Sequence, residues 1–553
     1  MVHMKKNRFY VTTPIYYPSG KLTIGNAYTT VIADTLARWH RMLGDDVLFL
    51  TGTDDHGLKL QRAAEEKGVS PKEFVDFMVE EGVKPLLELM NISYDRFIRT
   101  TDEAHVRAVQ QIFQQLYDQG DIYLGEYEGL YCTPCEAFWT ESQLKDGKCP
   151  DCGREVEKAH EECYFLRLSK YADRLVAYYK EHPDFIRPTS RMNEMLQNFI
   201  LPGLEDLAVS RTTFSWGVPV PFNEKHVVYV WLDALSNYIT ALAYPDKTGD
   251  FATYWPADLH LVGKDIIRFH TVIWPVILMA LDLPLPKQVF GHGWLLSKGD
   301  KMSKSKGNVV DPVALADIFG IDAIRYFLLR EIQFGGDGNF SGEALIARVN
   351  ADLANDLGNL LSRTVSMIVK YFPEGIPEMR SREPLDESIE AMAAETQQKA
   401  GEALESLEMS RALQIIWELI RRLNKYIDET EPWALAKDPA ARPRLAEVMY
   451  QLADGLRRIS IMIAAFMPET AQQMNAQLGI GEGGEEEAQP LWEEAGLAGL
   501  YPANRPLRKG KILFPRLELE ETLELMEQKA EETREAWQKK SEERFQQKKH
   551  GDS

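Results

Sequence analysis

The sequence predicts an α/β protein: a parallel sheet, split by a cysteine-bearing insertion that binds zinc, followed by an all-α bundle. Three observations predict it. Near the N-terminus, short runs of β-branched and aromatic residues flank a long helical segment, the pattern of a βαβ unit. Four of the five cysteines fall between residues 132 and 152, in a turn-rich stretch that interrupts this alternation. Beyond about residue 346 strand signals stop, and apolar residues recur every three or four positions.

The elements follow in order. Phe9–Tyr17 reads as a buried strand, Pro18-Ser19-Gly20 as a turn, and Asn26–Leu43 as a helix that ends at Gly44. Asp46–Leu50 is an apolar run suited to a second parallel strand, and Gly52-Thr53-Asp54-Asp55-His56-Gly57 a polar loop after it. Residues 1–115 therefore form the first half of the sheet domain and 116–225 the insertion. Strand-like runs at Val227–Trp231, Leu259–Gly263 and Val289–Leu296 restore the alternation over 226–300, and 301–345 is a lysine-bearing loop and linker. In the helical domain, 346–520, Leu413, Ile416, Ile420, Leu423 and Ile427 make one apolar stripe, and Leu445, Val448, Leu452, Leu456 and Ile459 another. Residues 521–553 read as a charged helix or tail.

Composition narrows the function. The chain has 553 residues, 44% of them apolar and 27% charged, which excludes a mostly disordered protein. Its 63 basic and 84 acidic residues give a net charge of −21, which argues against indiscriminate coating of DNA or anionic membranes. No apolar run approaches the ~20 residues of a membrane span, and no signal peptide is visible, so a cytoplasmic protein is expected. Five cysteines cannot make a disulfide framework in a chain of this length, which fits a reducing compartment.

Two motifs carry chemistry. Cys132-x2-Cys135 and Cys149-x2-Cys152, separated by thirteen residues with Pro134, Gly147, Pro150 and Gly153 in the turns, match a site of four thiolates for one structural Zn²⁺ per chain. Four protein ligands would leave no open position for catalysis. The second motif is Lys301-Met302-Ser303-Lys304-Ser305, with Gly299 before it and Lys306-Gly307 after it. A glycine-bracketed loop with three lysines can close on a polyphosphate and neutralise the charge of its transition state.

That lysine string is similar to the signature loop of class I aminoacyl-tRNA synthetases. Their other signature, HIGH, is here Thr23-Ile24-Gly25-Asn26: both histidine positions are changed, and Gly25 is kept where backbone must approach a nucleotide. With Thr13–Leu22, Gly52–Gly57, Tyr229–Ala234 and Gly263–His270, the chain resembles the bacterial methionyl-tRNA synthetases from about residue 7 to 515.

The resemblance implies a Rossmann-type catalytic domain and an anticodon-binding helical domain. It implies a methionine pocket at Ile15, Tyr17, Trp231, Ala234, Leu235, Tyr238 and His270, with Asp54 on the substrate ammonium. It assigns catalysis to Lys304, Lys301, Thr23 and Asn26, ATP binding to Gly25, Lys301 and Lys304, and Mg²⁺ to the nucleotide. Asn359 and Arg363, four apart on one helix face, would read anticodon bases and Trp433 would stack on one. The expected partners are ATP, L-methionine and tRNA for methionine, with no membrane, and the chain as it stands would be a monomer. Taken singly, each aromatic reads as core packing; the set carries the pocket. Two rivals stay open: a class I synthetase for another amino acid, and a non-catalytic tRNA-binding relative, suggested by the changed histidines.

Overall fold

A computed structural model gives the structure of residues 6–133, 137–139, 141, 144–150, 152–297, 300–301, 310–332, 335–378, 380–481 and 490–551. The chain divides into two compact units, one made of residues 8–33, 47–294 and 534–553, the other of 1–7, 34–46 and 295–533.

The first unit is organised by a six-stranded sheet in the order Arg96–Arg99, Asp46–Thr53, Arg8–Thr12, Leu259–Gly263, Val289–His292, Ile186–Arg187. Arg8–Thr12 pairs in parallel with Leu259–Gly263, and Val289–His292 is parallel to both of its neighbours. Leu48, Phe49 and Leu50, and Leu259, Leu261 and Val262, are buried, as apolar strands covered on both faces must be. From the pair Arg8–Thr12 and Leu259–Gly263 the chain runs outward to Asp46–Thr53 and Arg96–Arg99 on one side and to Val289–His292 on the other. In an open parallel sheet such a reversal leaves a crevice at the carboxyl ends of the strands.

The first strand is shorter than expected, because Pro14 has no N–H to donate; the chain rejoins the sheet only through a bridge between Tyr16 and Thr53. The following helix is Ile24–Met42, beginning two residues before the predicted start and ending ahead of Gly44, which has φ +85°. The insertion holds a four-stranded antiparallel sheet around the long hairpin of Ile122–Cys132 and Glu157–Leu166. Residues 116–225 also send the edge strand Ile186–Arg187 into the main sheet, and two residues are too few to show a strand period.

The charged C-terminus is a helix, Leu519–Gly551, and in its distal part it is docked. Phe545 stacks on Phe74 with ring centres 5.9 Å apart, and Trp537 lies 5.6 Å from Phe77. Trp537 and Phe545 are eight apart, hence on one helix face; their scarcity among charges hides that stripe in the sequence.

The second unit is largely helical. Both predicted apolar stripes fall on helices, Met409–Thr430 and Arg442–Ile463, and all ten positions are buried. Arg442–Ile463 is buried on its polar side as well. Arg458 Nε donates to Ala495 O at 2.7 Å, Arg457 Nη2 to Leu497 O at 2.7 Å, and Arg457 Nε to Asp454 at 2.7 Å. The loop around Trp492–Gly496 thus covers a face that periodicity alone assigns to solvent, and side-chain guanidinium groups satisfy its carbonyls.

Candidate active site

The carboxyl ends of the central strands converge on a narrow cleft of about 40 Å³. It is lined by Ile15, Asp54, Trp231, Ala234, Leu235, Tyr238 and His270 of the predicted set, and by Pro14, Asn237 and Ile266, which were not predicted. Asn237 follows Ala234 by three on the helix Val230–Thr240, so helical spacing from the predicted positions could have found it. Tyr17 does not line the cleft. It packs against the cluster around Leu60 and Phe74, with Lys59 Nζ 5.3 Å from its ring centre.

The cleft is apolar with one neutral polar end. Trp231 lies face to face on Phe269, ring centres 3.7 Å apart and planes 3° from parallel. His270 Nδ1 sits 3.0 Å from Ile266 O and must donate to it, so Nε2 accepts from the Tyr238 hydroxyl at 2.7 Å. Burial pushes the His270 pKa down to about 4, against a smaller opposing effect of the Ile266 carbonyl. The imidazole is therefore uncharged at neutral pH. Asp54 is the one acidic residue of the lining, held by its N–H to Tyr16 O at 3.0 Å.

A buried network fastens the Asp54 loop to the helix Val230–Thr240. His56 Nδ1 is 2.7 Å from one oxygen of Asp233 and His105 Nε2 is 2.8 Å from the other, while His105 Nδ1 meets Thr240 Oγ1 at 2.7 Å. Burial raises the Asp233 pKa, but the His56 charge and the hydrogen bonds from His105 and His56 outweigh it and leave the carboxyl below its ordinary range. His56 and Asp233 both stand in the recognised strings, yet nothing in a linear sequence says that residues 177 apart touch.

Thr23 and Asn26 do meet. Asn26 Oδ1 accepts from the Thr23 N–H at 3.0 Å and from its hydroxyl at 3.1 Å. The carboxamide is thereby oriented, with its NH₂ turned away from Thr23. A Cβ on Gly25 would meet only Thr23 Oγ1, at 3.5 Å, so the protein's own packing does not demand glycine there. Asp300–Lys301 forms a short strand against Leu295–Ser297. The side chain of Lys301, and all of Lys304, lie outside the described residues.

The cysteines are assembled as predicted, as far as they are described. Ligand atoms of Cys132, Cys149 and Cys152 lie within 4.8 Å of one another, and Cys132 Sγ is 3.5 Å from Cys152 Sγ. That separation is far too long for a disulfide. It is close to the ~3.8 Å between thiolates that each lie ~2.3 Å from a tetrahedral zinc. The turn is made by Gly153 N–H donating to Cys149 O at 2.8 Å, with Gly153 at φ +69°. The three can hold a metal ion; Cys135 lies outside the described residues.

Comparison with known proteins decides the family. The family described as tRNA synthetases class I (M) matches residues 9–163 and 154–365, and the anticodon-binding domain of tRNA ligases matches 386–548. A methionine–tRNA ligase of Caldanaerobacter subterraneus is 61% identical over 528 residues, covering 95% of this chain and 82% of that protein. The Bacillus subtilis methionine–tRNA ligase is 54% identical, covering 94% and 79%. The chain belongs to the methionyl-tRNA synthetases. A solved methionyl-tRNA synthetase of Mycobacterium tuberculosis, in complex with methionyl-adenylate, superposes with a TM-score of 0.87 at 41% identity, covering 92% of this chain and all of that one.

In this methionyl-tRNA synthetase family member, Asn359 and Arg363 open the helix Asn359–Tyr371 and fall within the class I match, ahead of the anticodon-domain match. Asn359 is exposed, and Arg363 Nη2 donates to Asp428 at 2.9 Å. Gly358 is packed close, since a Cβ there would sit 3.0 Å from Leu353 O. Trp433 is 42% exposed. Its position follows from Glu431, a non-glycine at φ +41° that ends the helix Met409–Thr430 and turns the chain into Pro432. Residues before proline rarely adopt that conformation, so a strained link holds an indole out of the core. Among the described residues no helix is long and apolar enough to cross a membrane.

Proposed function

We propose that the cleft holds methionine for the two half-reactions of an ATP-dependent methionine–tRNA ligase. The observation that carries the reading is the cleft itself: an aromatic and aliphatic slot closed by the neutral Tyr238–His270 pair, with the single carboxylate of Asp54 at its lining. A thioether is polarisable and packs well against aromatic faces, and a neutral hydrogen-bonded end accommodates its sulfur without demanding a charge. Asp54 takes the α-ammonium. Trp231, Ala234, Leu235, Ile15 and Tyr238 enclose the side chain.

The methionine carboxylate then attacks the α-phosphorus of ATP in line, and pyrophosphate leaves with the electron pair of the broken P–O bond. Asn26 donates through its NH₂ to a phosphate, Thr23 sets its orientation, and Gly25 lets the nucleotide come close to backbone. Lys304, supported by Lys301, meets the charge on the departing pyrophosphate; Mg²⁺ carried in with ATP would share that charge. A ribose hydroxyl at the tRNA 3′ end finally attacks the acyl carbon and releases AMP. Asn359 and Arg363 read the anticodon while Trp433 stacks on a base. Cys132, Cys135, Cys149 and Cys152 hold one structural Zn²⁺, which fixes the insertion and takes no part in the chemistry.

A ligase that feeds protein synthesis works in the cytoplasm. The cleft and the cysteine cluster are each built from one chain, so the reading needs no second copy. Methionine-dependent ATP–pyrophosphate exchange tests it. Exchange with methionine and not with leucine, isoleucine, valine or cysteine is expected, and Lys304→Ala should slow it ~10²–10³-fold at little cost in methionine affinity. No exchange with any amino acid would favour a non-catalytic tRNA-binding protein.

A further inference from the structure

Residues 505–517, after the last bundle helix, have no regular secondary structure, yet they are held firmly. Arg505 Nη1 donates to Gly479 O at 2.7 Å, Leu507 and Phe514 are buried, and Gln477 Nε2 donates to Lys511 O at 3.0 Å. Asn350 closes the far end, accepting from Leu517 N–H at 2.9 Å and donating to Leu517 O at 2.8 Å. Gly510 lets the strap approach, because a Cβ there would meet Gln477 Cγ at 2.6 Å. Between these pins Arg508, Lys509, Lys511 and Ile512 face solvent, Ile512 with 73% of its surface exposed.

Three cations within four residues stand out in a chain of net charge −21. Arg363, Arg421, Arg422, Arg444 and Arg457 of the same unit are each matched to a carboxylate. Among the described residues, Arg508, Lys509 and Lys511 have no ion-pair partner. They are not scattered. Lys509, Lys511 and Ile512 line one groove of about 190 Å³, and its opposite wall is Gly358, Leu361, Ser362, Val365 and Ser366. That wall belongs to the helix of Asn359 and Arg363, and Asn359, Ser362, Arg363 and Ser366 share its outward stripe. A rigid strap of cations, facing hydroxyl donors beside base-reading side chains, has the donor set of a phosphodiester site.

We propose that the strap 508–512 binds the RNA backbone next to the bases read by Asn359, Arg363 and Trp433. The proposal rests on the anticodon reading and deepens it: those three specify, and the strap positions. Lys509 and Lys511 contact phosphates, Ser362 and Ser366 donate to the same backbone, and Ile512 packs on a ribose.

The test uses the full chain and two short stem-loop RNAs, one with the methionine anticodon and one with a scrambled loop, titrated by fluorescence anisotropy over a range of potassium chloride. Lys509→Ala with Lys511→Ala should weaken both RNAs by the same factor, ~10-fold at low salt. It should also flatten the slope of log affinity on log salt by about 0.7–0.9 for each phosphate no longer neutralised. Lys509→Arg with Lys511→Arg should keep both, and unchanged melting temperatures would show that the variants fold. Asn359→Ala, which removes a hydrogen-bonding base contact, should weaken only the methionine anticodon. Affinity and slope unchanged in the double alanine variant would overturn the strap. Equal loss for both RNAs in Asn359→Ala would instead overturn the anticodon reading on which it rests.

Discussion

Asn26 is oriented by Thr23: the Thr23 N–H and hydroxyl both donate to Asn26 Oδ1, at 3.0 and 3.1 Å. Where the family signature has two histidines, this chain has a donor and the residue that aims it. Asn26→Ala should slow adenylate formation ~10-fold, the ~1.4 kcal/mol of one lost hydrogen bond. Thr23→Val should slow it less, and the double variant no further than Asn26→Ala alone, because Thr23 acts through Asn26. Pyrophosphate exchange rates for the three variants measure this, and additive losses would mean that Thr23 touches the nucleotide itself.

The buried His270 gives a pH dependence with a definite sign. Its pKa is lowered to about 4 by burial, whereas an unfolded histidine binds its proton near ~6.5. Below that value the unfolded chain holds a proton the folded chain refuses, so stability falls as pH drops from about 6.5 towards 4, by up to ~3 kcal/mol. His260 and His292 are also lowered by burial and add in the same direction. Melting curves across this window should steepen downward, and His270→Gln should remove about one proton's worth of the slope. Identical slopes in parent and variant would refute the assignment.

The cysteine cluster predicts one zinc per chain by elemental analysis. Cys149→Ser should lose the metal and expose the insertion sheet to proteolysis well before the helical unit, because the turn around Gly153 carries two of the clustered cysteines. A metal-free protein with a protease-resistant insertion would contradict it.

On the proposed reading Trp433 serves tRNA binding, and the cleft serves adenylate formation. Trp433→Ala should weaken tRNA charging by the ~1–3 kcal/mol of a lost base stack and leave methionine-dependent exchange untouched. A parallel fall in both reactions would make Trp433 a packing residue.

What the sequence determined by itself was local. Apolar period placed the bundle helices Met409–Thr430 and Arg442–Ile463, cysteine spacing placed the cysteine cluster, and recognised strings placed most of the cleft, because each depends on residues a few positions apart. Tertiary structure decided everything that joins distant segments. It set Tyr17 against the cluster of Leu60 and Phe74 and drew His56, His105 and Asp233 into one network. It laid Trp537 and Phe545 on Phe74 and Phe77, buried the polar side of Arg442–Ile463, and set the 508–512 strap beside Ser362. The physical reason is common to all of them. A side chain's charge, orientation and exposure are set by the groups packed around it, and those groups come from parts of the chain whose meeting no local pattern encodes.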